Sequence, residues 1–475
     1  MPATQLRRCL LAFAAAALIG ASAAAAAVSE PFFPRSGSHA YDVSHYDVRL
    51  SYRPAAGALE ATTRIAATAR QSLRRFSLDL DGLRVTGVTV DGEKAGFGRG
   101  RQKLKIAPET PLACGEKFTV VVHYRGHPRR VVDPDGSSEG WIRTADGAFG
   151  VGEPLGTAAW IPCDNAPFDK ASFSFQITVP AALKGVANGR LVSITRQGDR
   201  RTFDWTEAQP MATYLALVDV GRGKLDRGEA DGKPSWTLVD PALAAESRPV
   251  LAKLPEVIRF ESKIFGPYPF DAAGSVVELA PKLGYALETQ TRPIYAFAPD
   301  LTTLVHETAH QWFGDSVSLE RWPDIWLNEG FATWTEWYYA ERHGGQTAFQ
   351  IFHRLYRVPA SETAFWEPPS GHPGQAKNLF ATSTYVRGAM ALEALRLKIG
   401  TKKMLKVLRL WATEHRYGNA DVAQFVALAG EVSGRDLGPL FQRWLYRRGK
   451  PGASPAAASK ATVRAPLNRR SGRRR

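Results

Sequence analysis

Residues 305–314 read Val305-His306-Glu307-Thr308-Ala309-His310-Gln311-Trp312-Phe313-Gly314. On an α-helix, residues four apart share a face, so His306 and His310 can present imidazole nitrogens to one cation. Glu307, one step round the helix, can reach a water held on that cation. Neutral imidazole suits zinc, and a catalytic zinc needs a third protein ligand from another element and an open fourth position. Glu329 meets that need: it lies 19 residues after His310, in Trp326-Leu327-Asn328-Glu329-Gly330-Phe331-Ala332, near the start of the next expected helix. A helical hairpin would return it to the metal. Glu336 stands two turns further along the same face. There it either accepts a hydrogen bond from a ligand histidine's second nitrogen or is an ordinary exposed carboxylate.

Around this stretch the hydrophobic periodicity is helical. Amphipathic segments are expected at Val250 to Phe265, Thr302 to Phe313, Leu327 to Arg342, Thr384 to Ile399 and Asp421 to Ser433. Upstream, from about Tyr41 to Asp219, the period is that of strands. Tyr46, Val48, Leu50 and Tyr52 alternate with polar residues, as do Phe173, Phe175, Ile177 and Val179, and runs such as Phe118 to Tyr124 sit between Gly/Pro/Asp clusters. The expected architecture is an all-β domain over residues 28–220, then a mainly helical α+β domain over 221–446. The Gly/Asp-rich stretch 219–232 marks the boundary.

The 475 residues leave room for two or three domains. A composition 44% hydrophobic and 23% charged excludes both a disordered chain and a multi-pass membrane protein. The net charge of +15 is concentrated at the ends. Arg7, Arg8 and ten basic residues after Tyr446 supply twelve of the positive charges, and no acid accompanies them. The body between is nearly neutral, which argues against a nucleic-acid surface. The stretch 447–475 is Ala, Ser, Pro and Arg without apolar periodicity, and is expected to be a disordered basic tail.

Residues 1–27 have the form of an export signal: Arg7 and Arg8, an apolar run from Cys9 to Ile19, then small residues to Ala27. A retained N-terminal anchor is the alternative, which the alanine bias disfavours. The expectation is therefore an exported protein, periplasmic or extracellular, with no stable membrane insertion after cleavage. Cys114 and Cys163 would remain, either as one disulfide or as two separate thiols.

Taken together, His306-Glu307-x-x-His310, eighteen intervening residues and Glu329 resemble the gluzincin zinc aminopeptidases of the aminopeptidase N and leukotriene hydrolase type. The resemblance continues through Ile264-Phe265-Gly266-Pro267-Tyr268-Pro269-Phe270 and Tyr385-Val386-Arg387-Gly388. Glu153-Pro154, followed by Pro162-Cys163, is similar to the family's amine-binding segment. Tyr285-Ala286-Leu287-Glu288-Thr289 stands where most members have Gly-Ala-Met-Glu-Asn. The chain departs from that motif at three positions and keeps its glutamate.

The resemblance implies a saddle-like N-terminal β domain followed by a thermolysin-like catalytic domain, in a short form without the family's large C-terminal helical domain. It implies one zinc ion on His306, His310 and Glu329, with Glu307 as proton carrier and Tyr385 as donor to the developing oxyanion. Glu288 and Glu153 would bind the α-amine of a peptide with a free N-terminus. The activity implied is that of a zinc aminopeptidase. A zinc endopeptidase, or an aminopeptidase with a secondary epoxide hydrolase activity, is the alternative.

Overall fold

Tyr46, Val48, Leu50 and Tyr52 are all buried on one face of the strand Tyr41–Arg53, as their alternation requires. A computed structural model describes residues 30–452; the expected signal (1–27) and most of the expected tail lie outside the described residues. The strand Tyr41–Arg53 sits inside an eight-stranded sheet, between Ala58–Ala69 (antiparallel) and Lys170–Pro180 (parallel). Phe173, Phe175, Ile177 and Val179 of the latter face the same core. A three-stranded sheet and a five-stranded sheet complete the β domain. The five-stranded one contains Ser138–Arg143, Ala148–Val151 and Val218–Gly221, and so carries the approach to Glu153. Cys114 is exposed and Cys163 buried, and both are free thiols.

The second domain opens with a mixed five-stranded sheet in the order Leu225–Ala230, Lys233–Val239, Ala273–Val277, Ile294–Tyr295, Ala286–Leu287. Helices pack beside it. The helix expected over Val250 to Phe265 is two helices, Ala244–Leu251 and Leu254–Phe265. Pro255 lacks an N–H and its ring conflicts with a carbonyl one turn back, so the chain breaks before it and restarts. The helix expected to reach Phe313 ends at Ala309. Helices Trp326–Arg342, Thr382–Ile399 and Val422–Ser433 lie close to the expected spans. No helix among the described residues is long and apolar enough to cross a membrane.

The tail expected from Arg447 is a correction over its first six residues, which pack on the body. The buried Arg387 guanidinium donates to the carbonyls of Gly449 (3.1 Å) and Arg447, and Lys450 Nζ donates to Val358 O (3.0 Å) over the rings of Tyr356 and Trp366. A run read as lacking apolar periodicity is held instead by its backbone carbonyls and one cation.

Candidate active site

The helix Leu301–Ala309 starts at Asp300, whose carboxylate accepts the Thr303 N–H (2.8 Å) and caps it. His306 and Glu307 lie in its last turn, and His310 forms its C-cap in right-handed helical conformation. The chain then reverses at once. Gly314, at φ 130°, makes the turn, and its carbonyl accepts bonds from Ser318 Oγ (2.6 Å) and Tyr214 Oη (3.1 Å). Lys170 Nζ of the β domain lies within hydrogen-bonding distance of the carbonyls of Asp315 (2.7 Å), Ser316 (3.0 Å) and Gly418 (3.3 Å). This reversal leads into the helix Trp326–Arg342, whose first turn carries Glu329.

His306 Nε2 and His310 Nε2 converge on Glu329 Oε2, at 3.3 and 3.4 Å. The outer nitrogens are occupied: His306 Nδ1 lies 2.6 Å from Glu336 Oε1, and His310 Nδ1 lies 3.0 Å from the carbonyl of Phe313. Both partners only accept, so both Nδ1 atoms carry the proton and both Nε2 lone pairs face inward. The three donor atoms lie within 4.8 Å of one another. Two neutral imidazoles and one carboxylate, each oriented by a further partner, make a donor set that fits a zinc ion with an open position.

Charge makes the same case. Burial works against protonation of His306, yet hydrogen bonds to Glu329 and Glu336 raise its proton affinity well above the usual imidazole value. His310 behaves alike, with burial opposed by Glu288 and Glu329. A pocket that draws protons onto two buried imidazoles carries negative charge that a divalent cation would balance. Burial pushes Glu307 up to about 7, with His306 and His310 opposing. Tyr385 is raised well above the usual phenol value, by burial first and then by Glu329 and Glu153, so its hydroxyl stays a donor.

A cavity of about 300 Å³ collects the remaining candidates: Glu153, Glu288, Glu307 and Tyr385 line it beside the two histidines and Glu329. The Tyr385 ring lies 6.2 Å from that of His306, centre to centre. Glu336 does not line the cavity and touches only the back of His306 among these residues. Glu288 is 3% and Glu153 9% exposed, and Oε1 of each has no hydrogen-bond partner among the described residues. Burial raises both carboxyls, and Glu288 raises Glu153 further.

Three residues tie this cavity together that the motif reading gave no role. Gln311 donates to the Glu288 carbonyl (3.2 Å) and accepts from the Thr291 N–H (2.7 Å), stitching the segment 288–291 to the histidine helix. Glu139 accepts the Leu155 N–H (2.9 Å) and so fixes the loop bearing Glu153. Tyr285 donates its hydroxyl to the Ser138 carbonyl (2.6 Å), bonding the two domains at the cavity's edge. Of the departures from the family motif, Tyr285 and Leu287 line the cavity. Thr289 turns inward, its hydroxyl on the Arg292 carbonyl (2.6 Å). The one available sequence signal was Gln311, a polar side chain set between the motif and an aromatic pair.

Residues 298–444 match the family model for the peptidase family M1 domain, and residues 42–215 that for the peptidase M1 N-terminal domain. The crystal structure of an M1 zinc metallopeptidase from Deinococcus radiodurans superposes with a TM-score of 0.81 at 29% identity, covering 90% of this chain and 99% of that one. A mutant of a Deinococcus radiodurans M1 zinc metallopeptidase bound to a Tyr-Ser-Ala substrate gives 0.82 at 28%, with 90% and 99% covered. Among curated proteins, a probable M1 family aminopeptidase of Encephalitozoon cuniculi is 25% identical over 63% of this chain and 38% of its own length. A leucyl aminopeptidase of Saccharolobus solfataricus is 24% identical over 62% of this chain and 40% of its own. The chain thus spans well under half the length of these two relatives.

Proposed function

The chain belongs to the M1 peptidase family, and from that premise we propose that it is a zinc aminopeptidase acting on peptides with a free N-terminus. The observation that carries the reading is the pair Glu288 and Glu153: two buried carboxylates with unpartnered oxygens in the cavity that holds the donor set. An α-ammonium is the group that would satisfy both. Held there, it places the first peptide bond of a substrate beside His306, His310 and Glu329. Related proteins named as aminopeptidases, and the relative with a bound Tyr-Ser-Ala substrate, support the same reading.

Zinc on His306, His310 and Glu329 would polarise the scissile carbonyl and lower the pKa of water towards neutrality. Glu307 accepts the proton of the attacking water and delivers it to the departing amine, two transfers that suit a carboxyl titrating near neutral pH. Tyr385 donates its hydroxyl to the oxygen on which negative charge develops. Glu336 and the Phe313 carbonyl hold the imidazoles in the tautomer this requires.

Export belongs to the same proposal, supported by the basic start, apolar run and small residues of positions 1–27. Cell fractionation with N-terminal sequencing tests it: a new N-terminus near Val28 on exported protein is expected, and full-length protein in the cytosol would refute it. For the activity, a panel of aminoacyl fluorogenic substrates run with a chelator, then with zinc restored, is the test. Chelator-sensitive release that zinc recovers is expected; release indifferent to chelator would refute it.

A further inference from the structure

We infer that Asp135 selects substrates whose first residue carries a cationic side chain, lysine or arginine. The inference rests on the aminopeptidase reading above and adds a substrate class to it. Among the described residues, five carboxylates wall the cavity, those of Asp135, Glu153, Glu288, Glu307 and Glu329, and no lysine or arginine does. Four have assigned work: Glu329 in the donor set, Glu307 as proton carrier, Glu153 and Glu288 at the α-ammonium. Asp135 has none.

Its carboxylate is nonetheless held in a fixed direction. Asp135 lies in the turn between strands Arg130–Val132 and Ser138–Arg143, and its Oδ1 accepts both the N–H (2.8 Å) and the hydroxyl (2.7 Å) of Ser137. Oδ2 has no hydrogen-bond partner, and Asp135 no cationic partner, among the described residues. Asp135 is itself exposed, and a charge with one oxygen anchored and the other free at the mouth of the cavity is arranged to meet a cation from outside the chain.

Two bonds tie the chain just after that charge to the segments bearing Glu288 and Glu153. Both start from the strand that follows the turn. Ser138 O accepts the hydroxyl of Tyr285 (2.6 Å), three residues before Glu288. Glu139 accepts the N–H of Leu155 (2.9 Å), two residues after Glu153. The start of one strand therefore fixes Asp135 relative to both amine-binding carboxylates. The part of a substrate lying between its α-ammonium and the bond to be cut is its first residue, so it is that residue's side chain that shares the cavity with Asp135. Tyr285, standing where most of the family has glycine, is the positioning residue for this wall.

Arginine and citrulline aminoacyl-coumarins test the assignment, because citrulline keeps arginine's shape and lacks its charge. The kcat/KM ratio of arginine to citrulline should be about tenfold in the unaltered enzyme, the size expected of a partly solvated charge pair in a cleft. It should fall as salt is raised. Asp135→Asn should bring the ratio near one and remove its salt dependence. Tyr285→Phe, which frees Ser138, should lower the ratio part of the way. A ratio near one in the unaltered enzyme, or a ratio and salt dependence that survive Asp135→Asn, would overturn the assignment while leaving the aminopeptidase reading intact. So would an Asp135→Asn effect confined to arginine against citrulline at the second position of a dipeptide. Failure to release coumarin from either substrate would overturn both.

Discussion

Gly330 and Gly388 meet where the helices Trp326–Arg342 and Thr382–Ile399 cross: a β-carbon on Gly330 would lie 2.9 Å from the Gly388 Cα, and one on Gly388 3.0 Å from the Gly330 Cα. Glu329 precedes one of these glycines and Tyr385 stands three residues before the other. The backbone contact therefore sets the spacing between a metal-donor carboxylate and the hydroxyl proposed to serve the transition state.

Gly388→Ala should force that crossing open. We expect a stability loss of about 1–3 kcal/mol from overpacking and a fall in kcat, with zinc content unchanged because no ligand is removed. Tyr385→Phe marks the limit of that effect, about a hundredfold in kcat with little change in KM. Steady-state kinetics with metal analysis decides it. A KM effect alone would move Tyr385 to substrate binding, and unaltered kinetics in Gly388→Ala would show that the crossing does not govern the site.

Glu307 and Glu336 should separate cleanly. Glu307→Gln keeps the donor set and removes the proton carrier, so zinc should remain stoichiometric while kcat drops by about a thousandfold or more. Glu336→Gln weakens the 2.6 Å bond behind His306, and zinc affinity should fall by about 10–100-fold. Competition with a chromogenic chelator measures the second. Equal zinc affinity in the Glu336 variant would reduce that residue to a bystander.

Lys170 couples the two domains through three carbonyls after the histidine motif. Lys170→Met should cost roughly 1–3 kcal/mol by leaving them unpaired. Burial lowers the Lys170 pKa from the usual lysine value of 10.5 to about 7. Between those limits the unfolded chain binds the proton that the folded one has released, so the Lys170 contribution to stability rises with pH across the window. The gap between wild type and Lys170→Met should thus widen from pH 7 to pH 9.5, read by urea denaturation at each pH. A gap that narrows would contradict the lowered pKa of the buried Lys170 amine.

Deleting 447–475 should lower the melting temperature by several degrees more than deleting 453–475, because only the longer deletion strips Arg387 of the Arg447 and Gly449 carbonyls and removes Lys450. Differential scanning fluorimetry compares the two. Equal melting temperatures would show that these bonds contribute nothing.

Much of this site could be read from the chain because its chemistry is local. His306, Glu307 and His310 sit on one helix and Glu329 at the start of the next, so helical spacing alone relates them. The strands of the β domain were equally readable where one face is buried, as in Tyr41–Arg53. Ala273–Val277 was not: all five of its residues are buried, so it shows no alternation, and its neighbours Ala286–Leu287 and Ile294–Tyr295 are too short to show any. The helix end was misplaced because the apolar pattern continues through Trp312 and Phe313 after the helix has ended at Ala309. The Tyr285 to Ser138 bond spans 147 residues and has no local signature. Long-range contacts of that kind position Asp135, Glu153 and Glu288, the groups proposed to decide which substrate enters.

The central claim is that Glu288 and Glu153 hold a substrate's terminal ammonium. The direct test is mass spectrometry of a decapeptide digested with its N-terminus free or acetylated, by the wild type and by Glu288→Ala. Acetylation removes the charge and leaves buried carboxylates against an apolar cap, so the blocked peptide should be cut slower by about a hundredfold or more. Glu288→Ala should erase most of that difference by slowing the free peptide. The account predicts a ladder shortened one residue at a time from the N-terminus, seen with the free peptide alone; internal fragments appearing equally fast from the acetylated peptide would contradict it.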